Sequence, residues 1–397
     1  MPFFVYGIGT ASPPHAISQE HAAAMAQQFG CTSDEQLRQL KALYRMTRVR
    51  KRHSVVLDAG SETGEARQSF FPPMRDASDR GPTTAQRMAR YEREAPALGA
   101  EAARAALADA GRRPEDITHI VSVSCTGFAA PNFDLGLVRA LGLRRTVERT
   151  HVGFMGCHGA LNGLRVARAY ADSQPDACVL VCAVELCSVH YQYGWTGDGL
   201  VSNAIFADGA AALVGGGTRP RAPVDPDGGR LGADGGTGAD ADAGGSASAA
   251  SRAGANGAWE LARSGAALLE DSAELMSWRI GNHGFEMSLS ARVPGVIERE
   301  LRPWLDTWLA SQDSSVDRIA TWAVHPGGPR ILESVAQATG ISRADYAISQ
   351  EVLGEFGNMS SPTILFILER LRKRGAPLPC LAIGFGPGLA VEAALFR

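Results

Sequence analysis

Two hydrophobic rhythms alternate along the chain. Apolar residues recur at helical spacing over Gln19 to Phe29, Glu35 to Tyr44 and the alanine-rich stretch Leu98 to Ala110. The same spacing marks Leu135 to Leu141, Val293 to Leu309, Arg330 to Thr339 and Thr363 to Arg372, the last ending in a basic turn. Between them lie short β-rich apolar runs: Val5 to Ile8, Ile117 to Ser124, Ala177 to Val184, Ile319 to Val324, Leu381 to Ile383 and Leu389 to Leu395. Continuous apolar runs predict strands buried on both faces. Ala204 to Val214, with Phe206-Ala207-Asp208-Gly209 inside it, reads as strand–turn–strand. Strands and helices alternate in both halves, which predicts an α/β architecture with helices layered outside the sheet. The halves look alike in plan.

Composition changes this picture at one place. Residues 217–258 are Gly, Ala, Asp and Ser with almost no large apolar side chain, so they cannot bury enough surface to offset their ordering entropy. They read as a solvated insertion between an N-terminal half, 1–216, and a C-terminal half, 259–397. The 397 residues are 45% hydrophobic, enough for a large core. A net charge of -3 gives no reason to expect nucleic acid as partner. The seven cysteines lack metal-ligand spacing and predict free thiols in a reducing cytoplasm. The first residues lack the charged and apolar regions of a signal peptide, and no apolar run is long enough to span a membrane.

The candidate chemistry centres on Gly153-Phe154-Met155-Gly156-Cys157-His158-Gly159-Ala160. Leu161, Leu164, Val166, Ala167 and Tyr170 follow at helical spacing, so Cys157 stands at a helix N-terminus. The positive end of the helix dipole there lowers a thiol pKa. Far downstream lie His325, in His-Pro-Gly-Gly-Pro, and Asn358, in Gly-Asn-Met-Ser-Ser. A thiolate, a proton partner and a neutral amide donor make a toolkit for acyl transfer.

These three blocks, with the terminal Gly384-Phe385-Gly386-Pro387-Gly388, resemble the type III polyketide synthases, the chalcone-synthase-like enzymes, in a bacterial form. The resemblance runs from Gly7 to the last strand, apart from the glycine-rich insertion. It implies a thiolase-like αβαβα fold, a homodimer, and iterative decarboxylative condensation of malonyl-CoA onto an acyl-CoA starter, with no metal or other cofactor. It implies that Cys157 carries the starter and the growing chain as thioesters. His325 would hold the cysteine as thiolate and help stabilise the enolate of decarboxylated malonyl. Asn358 would donate to the malonyl thioester carbonyl. Neutral donors suit this task, because a carboxylate would repel both malonate and enolate.

Phe206 matches the gatekeeper phenylalanine of that family. The second gatekeeper falls on Met287, where plant enzymes carry phenylalanine; Phe285 is the neighbour that could exchange roles with it. Cys125 stands at a cavity position where plant enzymes have threonine. His190 stands at another, either to bond a polyketide carbonyl or to cap a strand end. Trp278 replaces a cavity glycine. Trp278 shrinks the cavity while Met287 opens it, which leaves its volume undetermined. Gly384, Phe385 and Gly386 would shape the cavity wall. Arg48 and Lys51, within the basic run from Arg45 to Arg52, would meet the phosphates of CoA. The resemblance leaves open a pyrone, resorcinol, phloroglucinol or naphthalene product. Three rival readings are a β-ketoacyl synthase III-like enzyme with one condensation, a Cys-His-Asn hydrolase, and a catalytically silent partner subunit.

Overall fold

The Cys178–Leu186 strand shows how the chain builds its layers. Cys178, Leu180, Cys182 and Val184 point into one core, while Val179, Val181 and Ala183 point into another. Both faces are apolar because both are covered, so the strand reads as a continuous run rather than an alternation. Cys380–Gly386 repeats the device near the C-terminus. Leu381, Ile383 and Phe385 enter a third core, and Cys380 and Ala382 return to the one that Val179 and Val181 share.

The computed structural model describes residues 2–59, 67–219, 258–269 and 272–397. The first part of the chain contributes β1 (Phe3–Ala11), β2 (Ala16–Ser18), α1 (Gln19–Ala26), α2 (Asp34–Met46), β3 (Lys51–His53), β4 (Leu57–Ala59), β5 (Arg67–Gln68), α3 (Thr84–Ala110) and β6 (His119–Ser124). Then come α4 (Phe133–Leu141), β7 (Glu148–Gly153), α5 (Gly159–Ser173), β8 (Cys178–Leu186), α6 (Gly197–Ile205) and β9 (Asp208–Gly216). The rest supplies β10 (Glu260–Leu268), β11 (Met276–Gly281), β12 (Gly284–Leu289), α7 (Val293–Ala310), β13 (Thr321–Val324), α8 (Pro329–Thr339), α9 (Ala347–Phe356), α10 (Pro362–Lys373), β14 (Cys380–Gly386) and β15 (Ala390–Phe396). Of the glycine-rich insertion, residues 220–257 lie outside the described residues.

A nine-stranded mixed sheet runs in the order β13-β14-β15-β10-β1-β9-β8-β6-β7. Strand β1 joins its two parts: it pairs along most of its length with β9, but with β10 only through Phe3 and Phe4. Side chains of α5 and α10 fill the core between the two parts. Helices α3 and α4 cover the outer face of the N-terminal part, and α7 and α8 that of the C-terminal part. The result is the thiolase-like α/β layering, with the helix layer of α5 and α10 at its centre.

Three elements differ from the sequence reading. The segment before Phe206 is helix α6, followed by strand β9, not strand–turn–strand. A short apolar run has no period of its own; Ala207 N–H and Asn358 N–H lock the turn by bonding Asn358 O and Ile205 O, contacts 151 to 153 residues apart in sequence. Helix α3 begins at Thr84, where Thr83 and Gln86 form a capping box, and Pro96 inside it conceals the first half from periodicity. Gly384 to Gly386 belong to strand β14 rather than to a loop.

Close approach of α3 to β1 depends on small residues. A Cβ at Gly9 would fall 2.2 Å from the Ala106 backbone nitrogen. Because backbone cannot yield as a side chain does, Gly9→Ala should destabilise the fold by at least about 2 kcal/mol. A lower urea midpoint with unchanged slope checks this.

Candidate active site

Cys157 occupies a 3-10 turn, Gly156–His158, that runs directly into α5. The turn is held in place by its neighbours. Gly156 has φ 73°, and a Cβ there would meet Pro387 Cδ at 2.3 Å. His158 is buried, its Nδ1 bonded to Asn162 Oδ1 at 2.8 Å, and Asn162 donates to Glu392 at 2.9 Å. Ser360 shares the wall of the Cys157 cavity, and the Ser360 and Asn358 side chains both favour the thiolate. Asn358 Oδ1 accepts the Ser360 N–H at 2.8 Å, which leaves the amide NH₂ to face the thiol.

His325 follows the end of β13, and its N–H bonds Ile383 O at 2.8 Å. It packs beside His158 across Gly384, where an added Cβ would lie 3.3 Å from His158 Cβ and 3.5 Å from His325 Cβ. The imidazole is 1% exposed, yet neither ring nitrogen has a hydrogen-bond partner among the described residues. Buried polar atoms are nearly always paired, so an unpaired imidazole marks a group kept for chemistry.

Burial governs the charges here. The Cys157 thiol is pushed up to about 11 by desolvation, against the lowering from Ser360 and Asn358. Desolvation opposes the acidification expected from the helix start. Desolvation, aided by His158, holds His325 down at about 3, so the ring is neutral. His325 thus stands one side chain from the Cys157 turn, through His158.

Cys157 opens into a cavity of about 40 Å³, with Cys125, Phe206, Trp278, Met287, Ser360 and Pro387 on its wall. Cys125 Sγ lies 3.3 Å from Ser360 Oγ. Trp278 and Met287 are direct cross-strand partners in the β11–β12 hairpin, and Trp278 Nε1 donates to Cys125 O at 2.7 Å. Phe285, two residues from Met287 on the same face of β12, lines a neighbouring cavity instead. His190 lines that neighbouring cavity as well, but both its nitrogens are spent. Nε2 bonds Thr126 O at 2.6 Å, and Nδ1 accepts the Phe285 N–H at 3.0 Å. No nitrogen remains for a polyketide carbonyl.

Gly384, Phe385 and Gly386 line neither cavity. The two glycines pack on His158, where a Cβ at Gly386 would meet Cδ2 at 2.5 Å, and Phe385 enters the outer C-terminal core. Their smallness serves the histidine layer rather than the wall. The basic run also divides. Arg52 is buried, bonding Asn203 O and Phe206 O, while Arg48 pairs with Glu333 at 3.1 Å and Lys51 stays exposed on β3.

Sequence reading missed Glu185, whose signal was a lone acid at the end of the apolar Ala177 to Val184 run. It is fully buried. It accepts from Cys125 N–H at 3.0 Å, Thr126 Oγ1 at 2.6 Å and Ser361 Oγ at 2.5 Å. Burial raises its pKa, opposed by these donors. Ser360, at φ 57°, was likewise missed inside the Gly-Asn-Met-Ser-Ser block.

A half-buried thiol opening into a cavity, neutral polar side chains near it and an unpaired imidazole, set between the halves of a thiolase-like fold, point to an acyl-transferring enzyme. The family models "Chalcone and stilbene synthases, N-terminal domain" and "Chalcone and stilbene synthases, C-terminal domain" match residues 2–219 and 260–397. The chain therefore belongs to the chalcone and stilbene synthase family, the type III polyketide synthases. It is 29% identical to an α-pyrone synthesis polyketide synthase-like protein, Pks18, of Mycobacterium tuberculosis, over 99% of this chain and 90% of that one. It is 33% identical to a 1,3,6,8-tetrahydroxynaphthalene synthase of Streptomyces peucetius, over 76% of this chain and 72% of the relative. The crystal structure of PKS-I from the brown alga Ectocarpus siliculosus superposes with a TM-score of 0.85 at 30% identity, covering 100% of this chain and 98% of that one.

His190 and His325 are both held near 3 by burial, so both are neutral in the native protein. Above about pH 6.5 the unfolded chain is neutral at these positions too, and their contribution to stability is complete. As pH falls from there toward 3, the unfolded chain takes up protons that the native state refuses, and stability drops. Denaturant midpoints across this range should show it, and His190→Gln should reduce proton uptake on unfolding by about one.

Proposed function

We propose that this enzyme loads an acyl-CoA starter on Cys157 and extends it by repeated decarboxylative Claisen condensation with malonyl-CoA. What carries the reading is the buried His325 imidazole, unpaired among the described residues and packed on His158, the residue that follows Cys157. The Cys157 proton passes to His325, and the thiolate attacks the acyl-CoA carbonyl. CoA leaves and takes that proton, giving the acyl-Cys157 thioester. Malonyl-CoA then loses carbon dioxide, and its C–C bonding pair becomes the enolate. Asn358 and His325 stabilise the enolate oxygen as neutral donors in a dry site. The enolate carbon attacks the Cys157 thioester, the thiolate departs, and a β-ketoacyl-CoA lengthened by two carbons returns to Cys157.

The chemistry draws on CoA substrates and on no metal, flavin or nicotinamide. Arg48 and Lys51 are assigned to the CoA phosphates; the half-exposed Arg48–Glu333 pair is of the weakly held kind that a phosphate can displace. The product is an aromatic or lactone ring of the pyrone, resorcinol, phloroglucinol or naphthalene type, a range that the names of the two relatives support. A cytoplasmic location is supported by seven cysteines that all stay unpaired. No helix among the described residues is long and apolar enough to cross a membrane.

A homodimer is supported by the sheet edge. Strand β7 has a free edge, and Phe128, Phe154 and Met155 beside it are 45%, 39% and 37% exposed. An apolar cluster at a free edge calls for a cover. Sedimentation should give a dimer that Phe154→Asp weakens.

Cys157→Ala should yield no extended product from any acyl-CoA with malonyl-CoA, by mass spectrometry. Polyketide from that variant would overturn the mechanism, and a single extension from every starter would return the site to β-ketoacyl synthase III-like chemistry. His325→Ala should slow acyl-Cys157 formation from acyl-CoA by about a hundredfold or more, read by intact-protein mass spectrometry.

A further inference from the structure

Behind the Cys157 turn, a line of polar side chains runs outward through the protein. His158, Asn162 and Arg165 stand at i, i+4 and i+7, on one face of α5 and its start. His158 Nδ1 and Asn162 Oδ1 are 2.8 Å apart, and Asn162 Nδ2 donates to Glu392 Oε1 at 2.9 Å. Arg165 bonds the second Glu392 oxygen. His158, Asn162 and Glu392 are buried, whereas the Arg165 side chain is 43% exposed. None of the four lines the Cys157 cavity. Glu392 comes from the C-terminal half, on β15, directly opposite Gly384 of β14. Directly opposed residues share a face, so Glu392 stands on the side where Gly384 leaves room for His158 and His325.

The donors and acceptors fix the direction of each bond. Arg165 favours the ionised form of Glu392 against the burial that raises its pKa. A carboxylate accepts and cannot donate, so Asn162 turns its NH₂ to Glu392 and its carbonyl oxygen to His158. That oxygen also only accepts, so the network assigns the His158 proton to Nδ1 and a lone pair to Nε2. Burial keeps this ring neutral too. An aspartate at 162 could accept the same proton, but its charge would favour an imidazolium beside His325. The amide passes on the direction of the carboxylate and withholds its charge.

We propose that Glu392, acting through Asn162, is a positioning residue for acyl transfer: it fixes the tautomer and ring orientation of His158, and so holds the Cys157 turn in register with His325. The proposal rests on the acyl-Cys157 reading. His158 is bonded in the chain to Cys157, and its Cβ and that of His325 flank Gly384. The ring has no slack on its far edge, because a Cβ at Gly386 would lie 2.6 Å from Nε2. Cys157 belongs to the N-terminal half and His325 to the C-terminal half, and the bond from Asn162 to Glu392 ties those halves immediately behind them. Loss of the acceptor at Nδ1 would leave a buried N–H unpaired, which the ring relieves by turning or by moving its proton.

The test uses Glu392→Gln, which keeps the size of the side chain. Its amide oxygen meets Arg165 and its NH₂ faces Asn162. Asn162 then turns over and offers NH₂ to His158, whose proton moves to Nε2. One readout is single-turnover acylation of Cys157 by acetyl- and hexanoyl-CoA, followed by intact-protein mass spectrometry across a range of acyl-CoA concentration. The other is NMR of protein carrying nitrogen-labelled histidine, with His158 assigned by its loss from His158→Phe. The saturating acylation rate should fall about tenfold or more, since displacing a reacting group by about 1 Å costs that much. The half-saturating concentration should stay within about twofold, because CoA binding is untouched. The His158 proton should sit on Nδ1 in wild type and on Nε2 in the variant, a change that lost packing alone would not produce.

An unchanged acylation rate in Glu392→Gln overturns the proposal while wild type still acylates. So does a loss carried by the half-saturating concentration, which assigns Glu392 to CoA binding, and so does one tautomer common to both proteins. A wild type that forms no acyl-Cys157 from either substrate overturns the acyl-Cys157 reading instead, and the two failures are distinguishable. Should Glu392→Gln fail to fold, the wild-type tautomer decides: a proton on Nδ1 supports the proposal, and a proton on Nε2 overturns it.

Discussion

The buried carboxylate of Glu185 is the constraint on which the site depends. It sits at the end of β8 and binds two other pieces of chain: the Cys125 N–H and Thr126 hydroxyl after β6, and the Ser361 hydroxyl at the start of α10. Ser361 immediately follows Ser360, which lies 3.3 Å from the Cys125 sulfur and lines the Cys157 cavity. The donors from the C-terminal half are therefore registered against the nucleophile of the N-terminal half through one carboxylate. Such a group is costly to bury and is tolerated only because its oxygens are satisfied. Losing a single partner would leave the remainder misaligned as well as unpaired.

Desolvation sets the chemistry in the same space. Ser360 and Asn358 favour a thiolate, while desolvation pushes the thiol up to about 11. The same burial holds His325 neutral. Both groups therefore resist charge in the free protein. It also makes neutral donors effective toward an enolate, because they lie in low dielectric with little competing water.

Aromatic side chains divide the interior beyond the nucleophile. Phe206 and Trp278 stand 6.4 Å apart between the two cavities, and His190 stacks on Phe285 at 4.1 Å behind them. His190 serves here as a fixed wall. Its bonds to Thr126 and Phe285 tie the turn after β6 to the β12 strand and so set the position of the hairpin that carries Trp278 and Met287. The opposing size changes at those two positions meet as one cross-strand pair on one wall.

The α/β class, most strands and helices, and the three residues gathered at the site were legible in the sequence, because period, turn chemistry and short motifs are local. Cys157 before its helix and Asn358 in its glycine-bounded turn could be placed without any distant contact. Helix α6, the first half of α3 and the spent nitrogens of His190 could not. Each is decided by a partner far along the chain: Asn358 for the turn after α6, the N-terminal strand for α3, Thr126 and Phe285 for His190. The thiol's protonation belongs to the same group. Sequence identifies a helix dipole that acts within one turn, whereas the loss of water that opposes it is a property of everything packed around Cys157, which only the tertiary structure assembles.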